Sequence, residues 1–297
     1  MKIGYFGDGK WAHEAFKKIM SDKDLEIVFV VLRYDKKDQV LQEMAEQENI
    51  PVIVHKNINS KEFQSLISQY EADIFVSMSF NQIFKTETIN LPKYKTINCH
   101  AGKLPFYRGR NILNWALIND EKEFGITVHY VDEGIDTGDI ILQETYPITD
   151  EDDYGTLLMR AYSGCADVLY RAVKLIQEGK VQRIRQSEID AVGMYCGIRK
   201  EGDEVIDWSQ TSREIFNFIR ALCFPGPKAI SWIEGKKISI NKARMIPGAH
   251  KYKNIEGQVL GKTDGGLIIK TGDTVLEVLE YDYEGIVRIG DRLKAHE

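Results

Sequence analysis

No apolar run in the 297-residue sequence approaches the roughly 18 to 20 residues that cross a bilayer; the longest, such as residues 27–32, suit a single strand. Met1 leads straight into a strand-like segment, so the expectation is a chain without signal peptide, membrane anchor or membrane partner. Cysteine is scarce. Cys99, Cys165, Cys196 and Cys223 stand far apart, with no CxxC pair and no histidine cluster beside them, which argues against a disulfide framework and a zinc site. The expected compartment is therefore the cytoplasm, and no metal is expected. An excess of basic residues is also missing: 39 Lys and Arg face 45 Asp and Glu, a net charge of −6. No global positive field holds a polyanion by neutralising its phosphates, so nucleic acid is not the expected partner. Internal repeats and low-complexity linkers are absent too. What remains is ordinary globular composition, 43% apolar and 28% charged, long enough at about 150 residues per domain for one large or two ordinary domains.

The first half alternates β-branched runs with amphipathic stretches, the grammar of a parallel sheet covered by helices. Strands are expected over residues 3–7, 27–33, 51–54, 73–80 and 96–100, with helices over 10–20, 39–49 and 61–71, where apolar residues recur every three or four positions. A helix over 111–118, a strand over 126–131 and a long helix over 157–177, ended by Gly179, complete this part. The expected fold class is α/β: a doubly wound, Rossmann-like parallel sheet. From about Ile206 one helix, 213–222, is followed by short strands divided by turn residues at Glu234-Gly235, 263–266 and Gly272-Asp273. A small C-terminal β-barrel, OB-like, fits that pattern. The expected domains are 1–190 and 191–297, the second including an ordered linking segment.

Gly7-Asp8-Gly9-Lys10-Trp11-Ala12 follows the first strand and opens a helix, matching the G-x-G-x-x-G/A phosphate turn, and Asp35 stands about where a ribose-binding acid would. An NAD(P)-dependent oxidoreductase therefore stays in view, although any tight glycine turn here satisfies the pattern and any helix N-terminus attracts anions. The chemically dense region is 96–140. Asn98 and His100, two apart at the carboxyl end of a strand, leave the same face and meet one pocket at the sheet edge where ligands bind. The loop 131–139, broken by glycines, carries Asp136 within reach of the imidazole. Histidine moves protons near neutrality, an amide donor stabilises an oxyanion and a carboxylate orients the ring, a set suited to acyl transfer. Alternation points Cys99 the other way, against a role as nucleophile. His13, His55, His129, His250 and His296 are read as ordinary structural histidines.

Asn98-Cys-His100, Leu104-Pro105, Arg108-Gly109, Gly125-Ile-Thr-Val-His129 and Gly134-Ile-Asp-Thr-Gly138 together resemble the formyltransferases that use N10-formyltetrahydrofolate. The likeness spans essentially the whole chain: Ser79-Phe-Asn-Gln-Ile-Phe84 falls where that family contacts folate, Ile206-Asp-Trp208 is similar to the opening of its second domain, and the tail to its C-terminal module. The resemblance implies a folate-dependent formyltransferase with Asn98, His100 and Asp136 as catalytic triad. It implies a pteridine pocket from Phe80, Asn81, Ile83, Asp132 and Ile135, largely through backbone. Gly9, Lys10, Tyr107, Arg108 and Arg110 are the expected acceptor contacts, the two arginines equally suited to bracing Asp132 or Asp139.

The acceptor divides this family. Arg108-Gly-Arg-Asn-Ile-Leu-Asn-Trp115 resembles the branch that formylates nucleotide-linked amino sugars, and residues 33–39 run straight into a helix where tRNA-modifying members carry a longer basic insertion. From Lys200 on, fifteen basic residues meet fifteen acidic ones, without the excess of a tRNA clamp, although seven basic residues between Lys228 and Lys253 face only Glu234. The expectation is thus a sugar N-formyltransferase. Its acceptor would be the amine, at C4, of a dTDP- or UDP-linked amino-deoxysugar for surface-glycan biosynthesis, and the protein a homodimer. Methionyl-tRNA formyltransferase is the alternative; glycinamide ribonucleotide enzymes generally lack the C-terminal module.

Overall fold

The structure, a computed structural model, describes residues 1–296. In chain order the elements begin β1 (Lys2–Gly7), α1 (Gly9–Met20), β2 (Glu26–Leu32), α2 (Gln39–Gln47), β3 (Val52–Val54), α3 (Lys61–Ser68), β4 (Ile74–Met78), α4 (Thr86–Ile89) and β5 (Thr96–His100). They continue with β6 (Arg108–Gly109), α5 (Ile112–Ile118), β7 (Glu123–Tyr130), β8 (Ile140–Pro147), α6 (Tyr154–Gln177), α7 (Gln186–Ile189) and β9 (Tyr195–Cys196). The last group is α8 (Ser212–Leu222), β10 (Ala229–Ile233), β11 (Lys236–Met245), β12 (Val259–Lys262), β13 (Leu267–Lys270) and β14 (Val275–Tyr283).

One compact unit comprises Met1–Gly109, Phe124–Tyr146 and Met159–Cys196. Its seven-stranded sheet runs β3-β2-β1-β4-β5-β7-β8. The first five strands are parallel, as their continuous apolar runs anticipated. The next pairing is not: β7 returns antiparallel to β5 and sets His129 opposite Asn98. Chain order reverses between β1 and β4, the kind of point at whose carboxyl edge open α/β sheets take ligands. The core behind that edge is aromatic. Phe6 has Phe29, Phe63, Phe75, Phe80 and Phe84 around it, with ring centroids 5.0–6.2 Å away and mostly edge-on. Gly4 makes room for two of those rings, since a Cβ there would lie 2.3 Å from Phe29 and 2.7 Å from Phe75.

The other unit comprises Arg110–Glu123, Pro147–Leu158 and the chain from Gly197 on. Its antiparallel sheet, β10-β11-β14-β13-β12, is the C-terminal β module anticipated by the turn-rich sequence. Helix α8 starts with a capping box in which Thr211 and Glu214 satisfy each other's backbone N–H. It buries Ile215, Phe216, Ile219 and Leu222 against the strands. Residues 110–123 and 147–158 join the C-terminal part because α5 and the loop before α6 are bonded to α8. Asn114 donates to the Ala221 carbonyl at 2.6 Å, Arg213 pairs with Asp120 and Asp150, and Arg220 donates to the Thr149 carbonyl at 2.6 Å.

Truncating Phe6 to Ala removes a fully buried ring from the middle of the aromatic cluster. Denaturant unfolding is expected to show a loss of about 3–5 kcal/mol, whereas the exposed Ile286→Ala stays within about 0.5 kcal/mol of wild type.

Candidate active site

β5 ends at the carboxyl edge of the sheet with Asn98 and His100 on one face, as their spacing required. The ring of His100 donates from Nε2 to the Tyr107 carbonyl at 2.7 Å; a carbonyl only accepts, so this nitrogen carries the hydrogen and Nδ1 faces Asp136 Oδ2 at 3.6 Å. That reach depends on Gly102, where a Cβ would stand 2.5 Å from both His100 Nε2 and the Tyr107 oxygen. The segment beneath is held by Thr127, which donates to the Gly102 carbonyl at 2.7 Å, and by Gln143, which donates to the Leu104 carbonyl at 2.9 Å.

Asp136 sits at φ +55 in the loop between β7 and β8. Its Oδ2 accepts from the Gly109 N–H at 2.9 Å, and Oδ1 lies 3.5 Å from His129 Nε2. Asp132 shapes the loop by accepting from Thr137 Oγ1 at 2.6 Å and the Gly134 N–H at 3.1 Å. Gly138 presses on the Tyr130 carbonyl, 1.8 Å from where a Cβ would be. Burial opposes ionisation of Asp136, yet the charges of His100 and His129, the His129 hydrogen bond and the Gly109 N–H outweigh it and hold the carboxyl well below the usual carboxylate range.

His129 keeps its expected role and adds a contact with the site. It is 3% exposed and does bond to backbone, Nδ1 donating to the Tyr130 carbonyl at 2.8 Å, which is the structural role expected of it. That bond turns Nε2 toward the site, 3.3 Å from Asn98 Nδ2 and facing Asp136. A neutral ring accepts there from Asn98; a charged ring donates to Asp136. The antiparallel register that joins it to Asn98 has no signature in sequence.

The other expected site residues are more dispersed. Phe80 packs its ring into the core against Phe6 and Phe84, while Ile83 and Ile135 stand 69% and 57% exposed on loops at the carboxyl edge. Asn81 donates to Asp35, which is paired with Arg33. The Gly9 N–H is taken by Asp38 Oδ2 at 2.6 Å, and the same oxygen meets His13 Nε2 at 2.7 Å. A carboxylate of the protein thus occupies the turn where a diphosphate would sit, and Asp35 is engaged by Arg33, which removes the basis for a dinucleotide site. Lys10 lies over the Tyr162 ring. Arg108 is 7% exposed with its donors on Gln186, Val192 and Tyr195, not on Asp132, Asp139 or an open surface. Arg110 is exposed and belongs to the other unit.

The formyl transferase model matches residues 1–173 and the formyl transferase C-terminal domain model residues 198–289. The chain belongs to the formyl transferase family. Methionyl-tRNA formyltransferase of Caldanaerobacter subterraneus subsp. tengcongensis is 32% identical, covering 98% of this chain and 95% of that protein. That of Fusobacterium nucleatum subsp. nucleatum is 35% identical over 92% and 89%. Among solved structures, a Helicobacter canadensis N-formyltransferase with folinic acid and dTDP-3-aminofucose superposes with TM-score 0.65 at 22% identity, over 94% of this chain and all of that one. A 4-N formyltransferase from Francisella tularensis gives 0.67 at 24%, over 82% and 98%. These last two likenesses establish the fold. The expected sugar-nucleotide acceptor is overturned by the relatives of higher identity, which are methionyl-tRNA formyltransferases along nearly the whole chain.

Two predictions follow the geometry. Gly102→Ala pushes the His100 ring off the Tyr107 carbonyl, and steady-state turnover should fall on the order of 100-fold. Asp136 binds protons more weakly folded than unfolded, so its contribution to stability is present above the ordinary carboxylate value of about 4 and is lost as pH falls below it. The stability gap between wild type and Asp136→Asn in denaturant titrations should therefore be widest at about pH 7 and shrink progressively as pH falls below about 4.

Proposed function

We propose that this protein transfers the formyl group of N10-formyltetrahydrofolate to the amine of methionyl-tRNA. The observation that carries the reading is 32–35% identity to methionyl-tRNA formyltransferases across both family modules. The site supports formyl transfer without deciding the acceptor. Exposed Ile83 and Ile135 offer apolar cover for a flat pteridine, and Phe80, Asn81 and Asp132 would hold its edges through backbone groups of the same loops.

As the amine adds to the formyl carbon, negative charge gathers on the formyl oxygen. Asn98 Nδ2 and protonated His100 are the donors for it, and their bonds strengthen only as that charge develops. When the bond from the formyl carbon to N10 breaks, His100 gives its Nδ1 proton to the departing nitrogen and takes up the proton lost by the amine. Asp136 keeps the ring oriented and balances its charge. His129, fixed by the Tyr130 carbonyl, orients the Asn98 amide.

The C-terminal module supports a polyanionic acceptor locally. Lys228 pairs with Asp282, Arg244 with Glu277, and Lys242 stands opposite Glu280. Lys236, Lys237, Lys251 and Lys253 remain exposed and without a carboxylate partner among the described residues.

Asn98→Ala and His100→Ala should each lower kcat on the order of 100- to 1000-fold while a folate analogue still raises the melting temperature. Mass spectrometry after incubation with N10-formyltetrahydrofolate should show one formyl group on methionyl-tRNA; transfer to a nucleotide-linked amino sugar alone would refute the acceptor. Removing Lys236 or Lys237 should reduce the salt slope of KM for the tRNA by about 1.

A further inference from the structure

Gln186 lies between the two segments matched by the family models, at the start of α7, and is 3% exposed. Its amide is fully used. Oε1 accepts from Arg108 Nε at 3.0 Å and Nη2 at 2.7 Å. A guanidinium only donates, so the amide can face one way, and its NH2 is turned to the catalytic loop. There it donates to the carbonyls of Asp136 and Gly138, each at 2.8 Å.

Arg108 is itself anchored. Its Nη1 donates to the Val192 carbonyl at 3.2 Å, its guanidinium lies 5.2 Å over the Tyr195 ring, and its backbone N–H bonds to Met194. The next residue, Gly109, supplies the N–H that holds the Asp136 carboxylate. Asp136 adopts a left-handed backbone that a non-glycine residue keeps only when its surroundings fix it. One side chain, reaching from a segment some fifty residues later in the sequence, bonds the carbonyls on either side of Thr137 and the arginine that precedes Gly109.

We propose that Gln186 is a positioning residue for formyl transfer: through Arg108 and the Asp136–Gly138 backbone it sets where the Asp136 carboxylate meets His100 and His129. The proposal rests on the reading of Asn98, His100 and Asp136 as the reacting groups. It gives the stretch between the two modules a part in the chemistry.

Gln186→Glu separates positioning from mere support. It keeps the length and gives Arg108 a charged acceptor, but replaces the two N–H donors by one oxygen facing two carbonyls. A residue that only satisfies Arg108 would tolerate it. Positioning predicts a kcat reduced on the order of 100-fold, KM for the formyl donor within about twofold, and a melting temperature near wild type. It also predicts that the Asp136 13Cγ titration, which needs no acceptor, moves up toward the ordinary carboxylate range. If the glutamate variant does not fold, Gln186→Asn, which keeps the amide and shortens its reach, is read by the same titration and kcat. Wild-type kcat and titration in the variant, with Asp136→Asn inactive, overturn the proposal alone. Wild-type turnover in Asp136→Asn overturns the catalytic reading beneath it, while the titration still reports whether Gln186 positions the carboxylate.

Discussion

The carboxylate of Asp136, 14% exposed between two imidazoles, is the interaction on which the site depends. Taking a carboxylate out of water costs several kcal/mol unless charge and hydrogen bonds offset it. Here the offset comes from the Gly109 N–H and from His100 and His129. Those partners stand on three different segments, so ionised Asp136 ties the ends of β5 and β7 to the strand-like turn at β6. The glycines of the region serve this convergence. Gly102 lets the His100 ring reach a carbonyl, and Gly138 lets the loop turn against Tyr130. A methyl group at Gly102 would displace the His100 ring, and one at Gly138 the loop that carries Asp136.

The same device, a protein carboxylate filling a polar concavity, recurs at the first strand. Asp38 occupies the N-terminus of α1, bonding Gly9 and His13, and caps its own helix by accepting from the Leu41 N–H. The positive end of α1 is therefore satisfied internally. A glycine turn reports a sharp reversal of the chain; whether it binds a foreign anion depends on what side chain comes to rest there. In this protein that side chain arrives from twenty-nine residues further on.

These examples show which features a sequence exposes. Asn98 and His100 were legible because two-residue spacing at a strand end fixes a shared face, and Asp136 because glycines on both sides mark a tight loop. The parallel strands were legible as unbroken apolar runs, and α8 from its apolar stripe. His129 was not, since along β7 it alternates like any core residue and only its register with Asn98 gives it a second role. Gln186 carries no local signal at all: one amide in a polar stretch. The assignment of 110–123 and 147–158 to the C-terminal unit escaped for the same reason, being set by Asn114, Arg213 and Arg220 finding partners far along the chain.

Part of the misjudged acceptor came from charge. A net charge of −6 was set against a nucleic-acid partner, but at physiological ionic strength fields decay over about 8 Å. A tRNA phosphate therefore feels the cations beside it and little of the remaining surface. Between Lys228 and Arg244 even the local count misleads, because carboxylates of β14 stand against Lys228, Lys242 and Arg244, leaving the cations at the start of β11 and in the loop after it. Residues 236–237 and 251–253 flank the paired stretch. Salt-dependent binding follows the number of phosphates neutralised at contact, a quantity that neither whole-chain nor whole-domain charge measures. An acidic formyltransferase with a balanced C-terminal module is thus compatible with a polyanionic acceptor, provided a few unpaired lysines share one face.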